Sequence, residues 1–340
     1  MTSRSKQIAK LILRVLITTA LLLWAFSQID LGQFQHAIRT AKWPFLVAVW
    51  GLTAILFYIR SVKMQFVLRR QDCHVGVGTV FGATTMTALY SLILPGILST
   101  GVKWYVLKKS TGKGSNVFSS MVYNQLSTMI VMMVFGLGAV AVSNPTPLLL
   151  PNAKSQWLLP GVCGALLIAV VATTLLLLNS RTGGRIIQLL KRLLWPLPER
   201  IRNKTADILD QIAVFQTAGW RFHLIFTLVT IVDTLAGGVA TYVLAAWTAS
   251  IVAPMSAFVW LCALVYILGR LPISIANLGV REVTMVGFLA VYGAAKPAAM
   301  LMSMILFSSL VFMAVVGAAY QLYWTLTARK RAKLPDQQAL

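Results

Sequence analysis

The sequence predicts an all-α polytopic membrane protein with about six spanning helices and two re-entrant helical hairpins that enter from opposite faces. Three observations point there. Hydrophobic residues make up 58% of the 340 and charged residues 11%, where soluble domains carry roughly 25% charged residues. Apolar runs of about 20 residues, the length a helix needs to cross a bilayer core, recur along the whole chain. The 30 Lys and Arg outnumber the 8 Asp and Glu, and they lie in short segments between those runs, as positive-inside orientation and anionic lipid surfaces favour. In a soluble protein the same excess would suggest nucleic acid; here no nucleic-acid partner is expected.

Spanning candidates fall at 11–27, 43–59, 117–142, 158–179, 222–249 and 298–326, with two interrupted apolar regions at 75–100 and 255–294. The N-terminal segment also has the basic and apolar parts of a signal peptide, with Ala25-Phe26-Ser27 resembling a cleavage site. The many spans that follow favour an uncleaved first helix.

Charge then sets direction. Arg4, Lys6, Lys10 and Arg14 precede the first span, so the N-terminus is expected in the cytoplasm. Arg60, Lys63, Arg69 and Arg70 bring the chain back inside after the second. Lys103, Lys108, Lys109 and Lys113 put the far flank of 75–100 on that same inside face, so the segment enters and returns. Its turn is LPGILSTG, where Pro95 and Gly96 stop a helix. The basic stretch 180–221 and the tail residues Arg329, Lys330, Arg331 and Lys333 are likewise expected inside. Both flanks of 255–294 are then outside, and its turn, RLPISIANLGVRE, carries Pro272 and Gly279.

The expected organisation is an inverted repeat. Residues 1–150 form one membrane repeat with the cytoplasm-side hairpin 75–100. Residues 151–330 form the other, with the outside hairpin 255–294, and 331–340 are a cytoplasmic tail. Broken apolar segments at matching positions of two opposed halves point to a transporter's midplane site. The segment 183–217 has apolar stripes interleaved with Arg185, Lys191 and Arg192. It reads either as amphipathic helices on the cytoplasmic surface or as a plain linker.

Two acids lie in apolar context, Asp233 and Glu282, with Arg270 and Arg281 flanking the second turn. A charge at bilayer depth costs at least about 2.5 kcal/mol, so mutual neutralisation is expected, an arginine fork donating to Asp233 or Glu282. Either such a pair only pins the hairpin, or an arginine keeps donors for a lipid phosphate, which its planar fork suits. Glu282 could equally meet a cationic headgroup. Lys103, after the first turn, is the counterpart from the other half, or simply an orienting charge. Asn124 and Gln125 read as polar glue between helices.

Catalytic signatures are scarce: the sequence contains no G-x-S-x-G, no H-E-x-x-H and no Gly-rich phosphate loop. Cys73, Cys163 and Cys262 and the three histidines are scattered, so no metal, cofactor or disulfide framework is expected, and no enzymatic activity.

The stretch from Pro272 to Glu282 closely resembles the Pro…Gly-x-Gly-hydrophobic-Arg-Glu signature of the flippase-like membrane family, which includes the transmembrane region of lysylphosphatidylglycerol synthase. The first turn, from Leu94 to Lys109, resembles that family's other motif. There are departures: Thr100 stands at the family's acid, Lys103 at its arginine, Asn124 and Gln125 at an acid–arginine pair, and Asn277 at the first glycine of the second motif. The resemblance implies translocation of an anionic phospholipid or a polyprenyl-phosphate-linked precursor across a bacterial-type inner membrane. The synthase's soluble aminoacyl-transfer domain is expected to be absent. A second reading is a non-transporting partner subunit of a membrane glycosyltransferase or lipid-modifying enzyme; a lipid-processing enzyme is a third.

Overall fold

The computed structural model describes residues 16, 18–25, 27, 30–94, 96–151, 155–178, 183, 184, 188, 207, 209–211, 213–215, 217–270, 274 and 276–332. Residues 18–25 of the expected first span are helical, while most of the amphipathic segment 183–217, the tail 333–340, Pro95 and Pro272 lie outside the described residues.

Among the described residues every regular element is a helix. A short helix α1 (Leu31–Thr40) starts where the Asp30 carboxylate accepts the N–H groups of Gly32 and Gln33, the usual N-cap chemistry. It leads into α2 (Pro44–Arg70), which opens on a proline at its first position. Then come α3 (Val77–Ser91), α4 (Gly96–Thr111), α5 (Gly114–Ser143) and α6 (Leu158–Leu178). One long helix, α7 (Trp220–Thr248), contains a π-helical stretch at Ile231–Ala236. The chain finishes with α8 (Met255–Leu268), α9 (Val280–Val291) and α10 (Lys296–Ala332). Five of these helices, α2, α5, α6, α7 and α10, are long and apolar enough to cross a membrane.

Four of the remaining five come in pairs, and none of these four is a spanning length. Helices α3 and α4 have 15 and 16 residues, α8 and α9 have 14 and 12. At 1.5 Å per residue none exceeds about 24 Å, short of a hydrocarbon core of about 30 Å.

The open ends of the two pairs face opposite ends of the bundle. Lys113 Nζ donates to Asp72 O at 3.1 Å, which ties both ends of the α3–α4 pair to the C-terminal end of α2. At the other end, Lys42 N–H donates to Thr248 O at 3.0 Å, close to where α8 begins. There Trp260 of α8 packs edge-on to Phe288 of α9. The far end of α3 reaches the middle of the bundle, where Ala88 packs with Phe57 of α2 and Met313 of α10.

Two boundaries differ from the sequence expectation. Helix α2 does not stop at residue 59 but continues to Arg70, because nothing between Arg60 and Gln71 breaks a helix. Similarly, α4 runs on to Thr111 and ends before Gly112, whose φ is +72°. Arg60, Lys63 and Lys103 are therefore helix residues and not loop charges.

The α3–α10 seam is closely packed, backbone against backbone. A Cβ at Gly317 would lie 2.2 Å from the Thr85 carbonyl oxygen, so only glycine lets α10 come this close.

Candidate functional site

Arg60 and Lys63 sit one turn apart on α2, hence on one helix face. Opposite them stands Asp233, inside the π-helical stretch of α7. Arg60 Nε donates to Asp233 Oδ1 at 2.7 Å, and Lys63 Nζ donates to Asp233 Oδ2 at 2.9 Å. Lys63 also reaches Thr128 Oγ1 of α5 at 3.4 Å. Asp233 is 1% exposed and Lys63 3%. The Arg60 side chain, by contrast, is 39% exposed.

The sequence left open whether an arginine of the second turn would neutralise Asp233 or Glu282; Arg281 pairs with Glu282, and Asp233 is held from elsewhere. Its partners come from α2, in the first half of the chain. Arg60 and Lys63 were missed as site residues because they follow an apolar run and read as orienting charges. The available signal was their spacing: two cations three residues apart, in a helix with no break, need an acid, and Asp233 is one of the two in apolar context.

Lys103 of α4 joins this group. It lies in the electrostatic field of Lys63, Arg60, Asp233 and Arg270, which brings the first helix pair next to the turn of the second. Lys103 is half-buried and makes no ion pair among the described residues. Arg270 is exposed, lies over the Tyr266 ring at 4.6 Å and donates through Nη2 to the Tyr266 hydroxyl at 3.0 Å. That hydroxyl also accepts from Gln125 Nε2 of α5 at 3.2 Å. Asn124, the neighbouring residue, has a buried Oδ1 with no partner among the described residues.

Arg281 and Glu282 form a separate cluster at the start of α9. Glu282 Oε1 accepts from Arg281 Nη2 at 2.5 Å and from Ser303 Oγ of α10 at 2.9 Å. Arg281 Nε donates to Ser303 Oγ at 2.8 Å, and the guanidinium lies 5.4 Å from the Phe307 ring centre. Glu282 Oε2 accepts the Gly279 N–H at 2.6 Å, which caps the helix. Gly279 has φ +81°, and a Cβ there would meet Leu21 of the first helical segment at 2.5 Å. Arg281 and Glu282 are both buried. This cluster satisfies itself and ties the second turn to α10 and the N-terminal helix.

The two clusters differ in balance. Arg281 and Glu282 cancel. Asp233 is held by Arg60 and Lys63, and Lys103 lies in the field of all three and of Arg270, so the group counts four cations to one carboxylate. Uncompensated charge at membrane depth is costly and marks substrate or ion pathways.

No curated protein matches the chain. The family described as lysylphosphatidylglycerol synthase TM region matches residues 11–317, a span that takes in every helix from α1 to α9 and both turn motifs. The chain is an integral membrane protein of that family, whose members are tied to lipid modification or transport.

Proposed function

We propose that this protein moves a lipid with an anionic headgroup, a phospholipid or a lipid-linked precursor, between the leaflets of a bacterial-type inner membrane. The observation that carries this reading is the excess of three cations around Asp233. An anionic headgroup at Arg60, Lys103 and Arg270 supplies the missing negative charge. The acyl or prenyl chains stay among the apolar helix faces.

Two features of the fold support the reading. The α3–α4 and α8–α9 pairs are too short to span, so each is read as a re-entrant hairpin, one from each face, in an inverted repeat. Their second helices, α4 and α9, begin at the turns, so helix N-termini with their positive dipole ends lie at depth. Backbone outside a helix is tolerated there only where protein or water satisfies it.

Proteoliposomes with a headgroup-labelled anionic lipid test the reading. Wild-type protein should expose the label to an external quencher, and Lys103→Gln and Arg270→Gln should slow that exposure about tenfold or more. Exchange at the wild-type rate in both variants would defeat the assignment.

The second reading, a partner subunit without transport, has its own motivation. Thr100, Asn124 and Gln125 are neutral where the resemblance leads one to expect charge. Stable co-purification with a lipid-modifying enzyme, with no lipid movement by the protein alone, would favour it.

A further inference from the structure

The cationic cluster is more than a place where opposite charges meet, because its donors are incompletely used. Arg60 spends Nε on Asp233, and its other guanidinium donors make no hydrogen bond among the described residues. Arg270 spends Nη2 on a tyrosine hydroxyl. Lys103 has no carboxylate partner among the described residues. All three residues are at least partly exposed, while Lys63 and Asp233 are buried.

The free donors also come from three different elements. Arg60 comes from α2, tied down by Asp233 of α7. Lys103 comes from the first helix pair and Arg270 from the turn of the second, and neither carries its own acid. A single phosphodiester, with one negative charge, would leave two of the three excess cations uncompensated. Two adjacent phosphates carry enough charge and enough oxygen acceptors to engage Arg60 together with Lys103 and Arg270.

We infer that the site recognises a diphosphate group, carried by a lipid, with one phosphate on Arg60 and the other between Lys103 and Arg270. This rests on the lipid-handling reading above and narrows its substrate class to diphosphate-linked lipids. Asp233 sets the charge of the site: it cancels part of Arg60 and Lys63, so that the cluster matches a diphosphate and does not simply trap any anion.

Binding to the purified full-length protein, read as thermal stabilisation in detergent, tests this directly. The probes are a polyprenyl diphosphate, the matching polyprenyl monophosphate, inorganic pyrophosphate and orthophosphate, with sulfate matching ionic strength. The diphosphate lipid should stabilise at a concentration about tenfold or more below the monophosphate, and Lys103→Gln or Arg270→Gln should bring the two within about twofold. Should Lys103→Gln lower the ligand-free melting temperature, the exposed Arg270 carries the test.

Equal potency of the two lipids overturns the inference. Inorganic pyrophosphate as potent as the lipid form overturns the lipid as its source. Movement of a monophosphate phospholipid in proteoliposomes, with no diphosphate preference, sinks the inference and leaves transport standing. A diphosphate preference without any lipid movement leaves the site standing and removes transport.

Discussion

Lys63 and Asp233 lie 170 positions apart in the chain and meet at 2.9 Å, one from each half of the protein. The pair joins the two halves of the chain through charge, where the sequence offered Asp233 only the arginines of the second turn. Removing one member of such a pair leaves a buried charge with fewer partners, which costs about 3–5 kcal/mol in buried pairs generally.

Lys63→Met and Asp233→Asn should therefore each lower stability by about 3 kcal/mol. The double variant should lose less than the sum, by about 1–3 kcal/mol. Reversible denaturation in detergent measures all three. Additive losses would mean that the pair is not coupled as its geometry implies.

Ser303 is the hinge pin of the second cluster, accepting from Arg281 and donating to Glu282. Ser303→Ala removes two neutral-to-charged contacts but leaves the Arg281–Glu282 pair intact, so it should cost about 1–2 kcal/mol. Glu282→Ala also strips the cap from Gly279 and leaves Arg281 buried without its acid. Its cost should be about 3–5 kcal/mol in the same denaturation measurement.

Gly317 and Gly138 make a matched comparison. At Gly317 a methyl would run into the Thr85 carbonyl, and Gly317→Ala should cost about 1–3 kcal/mol by forcing α10 off α3. At Gly138 nothing lies within 4 Å of the added carbon. Gly138→Ala should be neutral or stabilise by up to about 1 kcal/mol through helix propensity. Melting temperatures of the two variants in one detergent give the answer.

Cysteine accessibility tests the opposed hairpins. In a background without Cys163, cysteines at His74 and Ser110 should react with an impermeant maleimide from one face of sealed vesicles, and cysteines at Val252 and Ala295 from the other. A cysteine at Ile93, by the first turn, should not react from the face opposite His74. The native Cys73 should stay silent, because its burial pushes the thiol up and leaves little thiolate at neutral pH. Labelling of Ile93→Cys from the far face would turn the α3–α4 pair into two full spans.

Much of the architecture was legible because apolar run length and charge asymmetry are direct consequences of the bilayer. The paired short helices around LPGILSTG and RLPISIANLGVRE follow from proline and glycine chemistry that any reader of the sequence can see. The Arg281–Glu282 pair was legible for the same reason: the two are neighbours in one motif. The partners of Asp233 were not, since tertiary packing across 170 residues chose Arg60 and Lys63 over the nearer-looking Arg270 and Arg281. Helix ends were the other failure. An apolar run fixes where a helix is greasy, while the helix itself continues until a glycine or a turn stops it, and that extra length carried Arg60, Lys63 and Lys103 into the fold.

The π-helical stretch at Ile231–Ala236 sets the two halves of α7 out of phase. One surplus residue in a turn rotates everything beyond it by about 100° relative to an unbroken α-helix. The segment before it, Trp220–Thr230, packs against α2 and α5, whereas Gly237–Thr248 packs against α2, α8 and α10. A helical wheel drawn through the whole of α7 would therefore scatter its buried residues around the circle. Deleting a single residue between Ile231 and Ala236 would restore one continuous wheel and turn Asp233 or the upper half of the helix away from its neighbours.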